Sequence, residues 1–286
     1  MIVTARGILA ATLILLLFIF LHLLPHYRGV ERGGNAPQRY KLGGGWSPPK
    51  CFIKPLSNLT ELRHYFSKSE APCTNLKAFA AAPPASSGDR KLMCLDPYYN
   101  IRPGSCLVLS FGVGQSWHFE DEVAEFGCEV AAFDPTNGLK DHKRGDKISF
   151  YSVGISNFRG SKLLGMMRYG KKTVGAVDRY ENLLARAGLQ GRVVDYLKLD
   201  VELSELEFFQ DMFFNSPHLL AGVKQIAMEV HHDDEGDVDL GPASVYQLFW
   251  TYYQLLRCHG FRLILTYNHN SRRKWTEVLW GRKGAW

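Results

Sequence analysis

The 286-residue sequence lacks three features that mark common classes of protein. No segment recurs at the period of about 20–50 residues found in solenoid proteins, which excludes a repeat architecture. None of the six cysteines forms a C-x-x-C pair, so we expect no structural zinc site. Acidic residues are nearly absent from positions 1–50, where Glu31 stands among six basic residues.

The basic surplus of +6 separates at residue 50. Residues 1–50 carry a formal charge of +5, and residues 51–286 carry +1, from 28 basic and 27 acidic side chains. Nucleic-acid-binding domains usually concentrate their basic residues on the folded surface. We therefore expect no nucleic-acid partner. Apolar residues make up 46% and charged residues 22% of the chain, which is ordinary for a folded globular protein.

Residues 8–24 form an apolar run interrupted only by Thr12 and His22. Its 17 residues reach the lower limit for a helix that spans a bilayer, and no small-residue cleavage site follows it. We expect an uncleaved signal anchor, with residues 1–7 in the cytoplasm. The basic residues after the run favour the opposite orientation, but long domains cross membranes largely regardless of charge. A cleaved signal, and hence secretion, is the alternative.

Two further features favour a lumenal domain in the Golgi or another secretory-pathway membrane. Asn58-Leu59-Thr60 is an N-glycosylation sequon, although Asn58 followed by Glu61 also resembles a helix N-cap. An even number of cysteines permits disulfides in an oxidising compartment. The pairing stays open, since six cysteines allow 15 connectivities. Cys51, Cys73 and Cys94 are the better candidates, because Cys106 and Cys128 lie in apolar runs typical of buried thiols.

The remaining chain divides by composition. Residues 25–50 are rich in glycine, proline and basic residues and predict a flexible stem. Residues 51–89 form a connecting segment with a short helix, and residues 90–286 form the main domain. Short apolar strands alternate with helices there, which indicates an α/β fold with a mostly parallel sheet. We predict strands at 107–109, 129–133, 148–153, 196–199, 226–230, 261–266 and 278–280, and helices at 58–67, 119–126, 180–187, 208–214 and 243–259.

A glycine-containing loop follows the first strand of this domain. Residues 110–114 read Ser-Phe-Gly-Val-Gly, and Asp134 ends the next strand about 20 residues later. Glycines let the backbone approach a ligand closely, and the acidic side chain can accept ribose hydroxyls. The third glycine of the dinucleotide fingerprint is missing. The pattern therefore favours S-adenosylmethionine, which has no pyrophosphate, over a dinucleotide. A plain turn is the alternative for the glycine loop alone.

These residues carry a family resemblance. Together with Leu197-Lys198-Leu199-Asp200-Val201-Glu202, they resemble a class I S-adenosylmethionine-dependent methyltransferase. The same segment, followed by Glu205, is similar to the FkbM-like family, and residues 96–114 resemble the methyltransferase-like protein 24 group. The resemblance covers roughly residues 90–285. It implies a seven-stranded Rossmann-like sheet, with its last strand antiparallel and helices on both faces, and S-adenosylmethionine as cofactor. Leu203 stands where the FkbM-like motif has glycine.

The resemblance also implies roles for individual residues. Ser110, Gly112 and Gly114 would lie at the methionine part of the cofactor and Asp134 at its ribose. Gly154 and Ile155 would contact the adenine. Asp200 and Glu202 would lie beside the transferring methyl group. An alcohol acceptor would need a general base, for which Asp200, Glu202 and His231 are the candidates. The acceptor itself is open among small molecules, glycans and proteins.

Other interpretations remain beside this one. Asp200 and Glu202 could cap the following helix, since acidic side chains favour helix N-termini. The run from His231 to Asp234 reads more readily as a solvated loop than as a metal site, so we expect no metal. Residues 237–239, Asp-Val-Asp, could serve a type II glycosyltransferase. A catalytically inactive methyltransferase fold that acts as an interaction protein is the third alternative.

Overall fold

The computed structural model describes residues 52–81, 89–166, 171–202, 204–231, 242–267 and 275–283. The stem, the predicted anchor at 8–24 and the cytoplasmic tail lie outside these residues. No helix in the described part is long and apolar enough to cross a membrane. The helices are α1 (Leu59–Phe66), α2 (His118–Phe126), α3 (Tyr180–Arg186), α4 (Glu205–Gln210) and α5 (Pro242–Cys258). The strands are β1 (Leu76–Phe79), β2 (Lys91–Cys94), β3 (Leu107–Phe111), β4 (Glu129–Phe133), β5 (His142–Arg144), β6 (Ile148–Tyr151), β7 (Gly154–Ile155), β8 (Gly160–Met166), β9 (Lys171–Asp178), β10 (Val194–Leu199), β11 (Val223–His231), β12 (Phe261–Tyr267) and β13 (Trp275–Arg282).

A mixed sheet of eight strands lies at the centre of the fold, in the order β12-β13-β11-β10-β3-β4-β6-β5. Strands β6, β4, β3, β10 and β11 run parallel, whereas β13 runs antiparallel to both of its neighbours. The α/β class and the antiparallel last strand are confirmed. The predicted count of seven is wrong by one, because β5 adds an antiparallel edge strand. All three residues of β5 are exposed, so no apolar alternation announces it.

The two faces of the sheet pack into separate apolar layers. Leu107, Leu109 and Phe111 of β3 point into one layer, whereas Val108 points into the other. This follows from the alternation of side chains along a strand. Residues of α1, α3, α4 and α5 complete the first layer, and residues of α2 complete the second. Helices on both faces are therefore confirmed, and they explain why β3 is an uninterrupted apolar run apart from Ser110.

Two smaller sheets were not predicted. Strands β7, β9 and β8 form a three-stranded sheet whose β8–β9 pair is antiparallel. The sequences of β8 and β9 mix lysine and glycine with apolar residues, so polar and apolar residues do not alternate regularly in either strand. Strands β1 and β2 form an antiparallel pair, with Leu76 opposite Cys94. This pair joins the predicted connecting segment to the predicted main domain.

Disulfides connect neighbouring strands near their ends. Cys73 pairs with Cys94 at the end of β2, and Cys106, just before β3, pairs with Cys128, just before β4. The expectation of buried free thiols at Cys106 and Cys128 is therefore wrong, although both are buried. The reason is that neighbouring parallel strands bring residues 22 positions apart side by side. Cys258 is also disulfide-bonded.

The predicted helices are present with small shifts at their ends. Asn58 caps α1, because its side-chain oxygen accepts a hydrogen bond of 3.1 Å from the backbone N–H of Glu61. The predicted helix at 208–214 begins earlier, at Glu205, and continues as a wider turn over Asp211–Asn215. There the buried carboxylate of Asp211 accepts hydrogen bonds from the Tyr180 backbone and from Arg179.

Candidate active site at the carboxyl edge of the sheet

The predicted site residues follow four neighbouring parallel strands. Gly112 and Gly114 follow β3, Asp134 follows β4, Asp200 follows β10, and His231 ends β11. Because β4, β3, β10 and β11 are adjacent and parallel, their carboxyl ends share one edge of the sheet. The structure thus brings these residues to one edge.

The glycine loop crosses the end of β10. Gly112 has φ +83° and donates its N–H to the carbonyl oxygen of Phe133. A Cβ atom at this position would overlap the backbone carbonyl of Asp200. Gly114 also has a positive φ, +63°. Glycine is therefore required at position 112 for both its backbone conformation and its contact with β10.

Buried polar side chains of β3, α2 and β10 support the glycine loop. The Ser110 hydroxyl donates a hydrogen bond of 2.5 Å to Glu120 of α2, and both residues are almost completely buried. The ammonium of Lys198 donates to the carbonyl oxygen of Gly112. Burial raises the pKa of Glu120, and the charge of Lys198 acts against that rise. The side chain of Ser110, predicted to be at the cofactor, is thus engaged in supporting the loop.

Asp134 closes the glycine loop from the side of β4. Its carboxylate accepts hydrogen bonds of 2.7 Å from the backbone of Gly114 and from both the backbone and the hydroxyl of Thr136. A carboxylate has about four lone-pair positions. Three are engaged, which leaves one for a ribose hydroxyl rather than the two that the sequence suggested.

Gly154 and Ile155 lie in β7, just after β6. A Cβ at Gly154 would meet the ring of Pro135 at 3.0 Å, so the glycine allows β7 to pack against the residue that follows Asp134. The Ile155 side chain is buried in the apolar core. The side chain of Ile155, predicted to contact the adenine, is therefore packed in the core.

Beyond the glycine loop lies a group of charged side chains that we call the β10–β11 charge cluster. Its members are Lys91, Asp200, Glu202, Glu205, Glu229, His231 and Glu277. Lys91 is fully buried and pairs with Glu277, while Asp200 and Glu229 each lie 3.6 Å from its ammonium. Strand β2, which carries Lys91, is held against β11 by the side chain of Gln225. This amide accepts a hydrogen bond from the backbone N–H of Cys94 and donates one to its carbonyl oxygen.

His231 is surrounded by carboxylates. Its Nδ1 atom lies 3.0 Å from Glu205 Oε1, and its Nε2 atom lies 3.2 Å from Glu229 Oε1 and 3.6 Å from Glu202 Oε2. His231 is almost completely buried, so the expected solvated loop does not begin at this residue. The rest of that run, and the D-x-D at 237–239, lie outside the described residues.

The carboxyl groups of the cluster have different pKa values because their surroundings differ. Burial raises the pKa of Glu202 to about 7. Burial also acts to raise the pKa of Glu229, but the hydrogen bond from His231 and the charge of Lys91 outweigh it and hold that pKa at about 2. Burial acts to lower the pKa of His231, but Glu205 and Glu229 raise it well above its usual value. Burial also raises the pKa of Glu277, to about 8. The cluster thus holds at least two carboxyl groups, those of Glu202 and Glu277, able to exchange a proton near neutral pH.

The residue at the N-cap of α4 is Ser204 rather than Asp200 or Glu202, and its side chain makes no capping hydrogen bond among the described residues. Instead, the backbone N–H of Val201 donates to Glu205 Oε1. Glu202 has a positive φ of +50°, which is uncommon for a residue with a side chain. Such local strain is typical of functional sites.

Several site residues were missed. Lys91, Glu229 and Glu277 are charged residues inside otherwise apolar strands, and that position was the available signal. Lys198 also lies in a mostly apolar strand, β10, whereas Glu120 lies among other acidic residues in α2 and gave no such signal. Their contacts were not predictable, because the partners lie far apart in the sequence.

Comparisons with known proteins identify the family of this chain. A family model described as "Methyltransferase domain" matches residues 65–270, which is more than half of the chain. The chain belongs to this methyltransferase-domain family. It is 25% identical over 191 residues to "Probable methyltransferase-like protein 24" of Rattus norvegicus, a match that covers 63% of this chain and 49% of that protein. The human protein of the same description is 23% identical over 219 residues, covering 73% and 57%.

The resemblance to the methyltransferase-like protein 24 group is therefore confirmed. The chain spans about half the length of these curated relatives. Among solved structures, "Putative hemolysin from Streptococcus thermophilus" aligns with a TM-score of 0.38 at 11% identity, covering 69% of this chain and 72% of that one.

Proposed function

We propose that this member of the methyltransferase-domain family transfers a methyl group from S-adenosylmethionine to an oxygen of its acceptor. The observation that carries the proposal is the contact between Gly112 and Asp200. It sets the glycine loop against the β10–β11 charge cluster, with Asp134 on the other side of the loop. A cofactor in the loop would therefore lie next to titratable carboxylates.

The residues present fit this cofactor. The two positive-φ glycines form a cradle that side chains would fill, and Asp134 keeps one acceptor position free. S-Adenosylmethionine supplies an electrophilic methyl group on a positively charged sulfur. Gly112, Gly114 and Asp134 would orient it, and the backbone of Gly154 and Ile155 would border the adenine. Positioning of this kind contributes much of the rate of a displacement reaction.

Glu202 is the best candidate for a general base. Its pKa of about 7 allows it to take a proton from an alcohol near neutral pH. Asp200 and His231 are held in ion pairs with Lys91 and with Glu205 and Glu229. We propose that these two residues orient the acceptor and Glu202. Small molecules, glycans and proteins that bear hydroxyl groups are the proposed acceptors, rather than nucleic acids.

Calorimetry on the purified full-length chain tests cofactor binding. We expect S-adenosylmethionine to bind, and Asp134→Asn to weaken it by about tenfold or more, because a charge-assisted hydrogen bond contributes about 1.5–3 kcal/mol. Thr136→Val removes a bond to the same carboxylate while keeping its charge, and serves as the matched control with a smaller loss. Heat with a UDP-sugar and Mn²⁺ but not with S-adenosylmethionine would instead support a glycosyltransferase. Heat with neither would support an inactive interaction protein.

Labelled methyl transfer then identifies the acceptor. The full chain is incubated with labelled S-adenosylmethionine and a secretory-pathway extract that contains glycans, proteins and small molecules. We expect label on an oxygen atom in a hydroxyl-bearing fraction. Label on nitrogen, or no label from a chain that binds the cofactor, would contradict O-methylation.

We further propose that residues 8–24 anchor the chain in a secretory-pathway membrane as a single-pass type II protein. Support comes from the length and flanks of the apolar run. Alkaline carbonate extraction of cell membranes should leave the chain in the pellet. Recovery in the supernatant or the culture medium would indicate cleavage and secretion instead.

A further inference from the structure

Three side chains of the β10–β11 charge cluster have the spacing of metal ligands. One ligand atom each from Asp200, Glu229 and His231 lies within 4.8 Å of the others. The strands explain this placement. Glu229 and His231 are two residues apart on β11 and share one of its faces, and Asp200 follows the neighbouring parallel strand β10. Two carboxylate oxygens and one imidazole nitrogen suit a divalent first-row cation.

The orientation of the imidazole is the second observation. Glu205, which is not one of the three, lies 3.0 Å from Nδ1 of His231 and is fully buried. Nε2 is thereby directed toward Glu229 at 3.2 Å. Histidines that bind metals usually donate their other N–H group to a carboxylate, which fixes the ring and the tautomer. His231 has this arrangement.

An unsatisfied buried oxygen is the third observation. Glu205 is completely buried, and its Oε2 has no hydrogen-bond partner in the described part of the chain. Its other oxygen contacts His231. Buried polar atoms usually have partners, and those without one require an explanation such as an ion.

The charge of the cluster points the same way. Its five carboxyl groups face Lys91 and His231, and His231 must give up its extra proton to bind a metal through Nε2. Lys198 also acts on Asp200, but it is shared with the buried Glu120. Buried charges are costly unless they are compensated. A divalent cation would offset the negative excess without requiring the carboxylates to be protonated.

We infer that Asp200, Glu229 and His231 bind a divalent cation, which holds the acceptor oxygen beside the methyl group. The role in catalysis rests on the proposed function, but binding of the cation does not. In the reaction, the acceptor hydroxyl gives its proton to Glu202, and the oxygen lone pair forms the new C–O bond. The C–S bond breaks, and its electrons neutralise the sulfonium. The cation polarises the hydroxyl and thereby assists the loss of its proton.

Mn²⁺ binding to the full-length chain tests the inference. The chain is freed of metal with a chelator, and Mn²⁺ is titrated in the absence of S-adenosylmethionine, with electron paramagnetic resonance to measure the free ion. We expect one bound equivalent, and displacement by Zn²⁺. Asp200→Asn and Glu229→Gln should each weaken Mn²⁺ binding by more than about tenfold, the lower limit seen when even an outer partner of a metal ligand is lost.

Asp195→Asn is the matched control. Asp195 is also buried and also paired with a lysine, Lys224 at 2.7 Å, but it lies at the opposite end of β10. We expect wild-type Mn²⁺ binding in this variant. The Asp200 side chain is 25% exposed, so Asp200→Asn should fold even if Glu229→Gln does not. Circular dichroism verifies the folding of each variant.

The same metal-free sample is also titrated with S-adenosylmethionine. Cofactor binding without Mn²⁺ binding would overturn the inference and leave the proposed function intact. Mn²⁺ binding without cofactor binding would support the metal site and contradict the proposed function. Mn²⁺ binding that is equally strong in Asp200→Asn would place the ion elsewhere and overturn the assignment.

Discussion

Lys198 connects the glycine loop to the buried charge behind it. Its side chain is nearly buried in β10, its ammonium donates to the Gly112 carbonyl, and it lies 5.9 Å from the centre of the Phe119 ring. The same charge acts on Glu120. One side chain thus stabilises both the position of the loop and the carboxylate of α2.

Lys198→Met should therefore weaken cofactor binding. We expect the Kd for S-adenosylmethionine to rise by about tenfold, and the free energy of unfolding to fall by about 2 kcal/mol, because a hydrogen bond from a charged donor is lost. Lys147→Met is the control, since Lys147 also donates to a backbone carbonyl, that of Ala124, but at an exposed site. Calorimetry and urea unfolding measure both effects. Equal Kd values for the two variants would contradict a role for Lys198 at the loop.

Glu120 should make stability depend on pH. Burial raises its pKa above the ordinary value of 4.5, so the folded chain holds the proton more tightly than the unfolded chain. This stabilisation is complete below pH 4.5 and is lost as the pH rises through the folded-state pKa. Glu120→Gln cannot titrate. As the pH rises from 4.5 to about 8, its free energy of unfolding should therefore fall less than that of the wild type.

Urea unfolding at intervals of pH provides the measurement. Glu125→Gln is the matched control, because Glu125 lies on the exposed side of the same helix, and its pH profile should follow that of the wild type. Parallel profiles for wild type and Glu120→Gln would show that the buried carboxyl group does not titrate differently in the two states.

At the scale of elements, the glycine loop lies against the end of β10. This contact places the proposed cofactor site next to the β10–β11 charge cluster. The loop follows β3 and passes over the carbonyl of Asp200, so any side chain there would separate the strand ends. Two effects would act together at Gly112, the overlap and the positive φ. They can be separated, because Gly104 has the same φ of +83° with nothing within 4 Å of a Cβ.

Gly112→Ala should lower the free energy of unfolding by more than about 3 kcal/mol and abolish cofactor binding, since strain adds to overpacking. Gly104→Ala should cost only about 1–2 kcal/mol, the strain of the left-handed conformation alone. It should leave the cofactor Kd unchanged. Urea unfolding and calorimetry measure both variants. Similar losses for the two would show that the overlap with Asp200 is relieved by movement of the loop.

At the scale of the whole molecule, the positive charge is concentrated in residues 1–50, outside the predicted main domain. Five of the six surplus positive charges precede residue 51, beside the apolar run or in the stem. The remaining chain is almost neutral, which is compatible with the proposed acceptors. The proposed type II orientation requires Asn58 to lie in the lumen. Asn58 is exposed, and its N-cap bond uses only the side-chain oxygen.

The full chain expressed in secretory cells should therefore show an endoglycosidase-sensitive shift in mass. Thr60→Ala should abolish the shift by removing the sequon while leaving the helix cap intact. Asn58→Gln should abolish the shift and also lower stability by about 1 kcal/mol, because it removes the cap. A wild-type chain that shows no shift would contradict a lumenal position for Asn58.

The order of elements and the loops that carry the site were predictable from local pattern. The strand at 129–133 has its predicted bounds, and α2, α3 and α5 lie within one or two residues of theirs. The glycine loop, Asp134 and Asp200 follow strands as expected. These properties are local, since they depend on periodicity and on a few neighbouring residues.

The partners of the buried charges were decided only by the tertiary structure. Lys91 and Glu277 lie 186 positions apart and meet because β2 crosses the face of the sheet while β13 inserts beside β11. Cys106 and Cys128 pair because β3 and β4 are neighbours. The sequence by itself determined the α/β class, the family and the approximate positions of most helices and main-sheet strands, but not the edge strand β5. Which charges neutralise one another, and hence the chemistry of the site, depended on the strand order, because that order brings distant residues into contact.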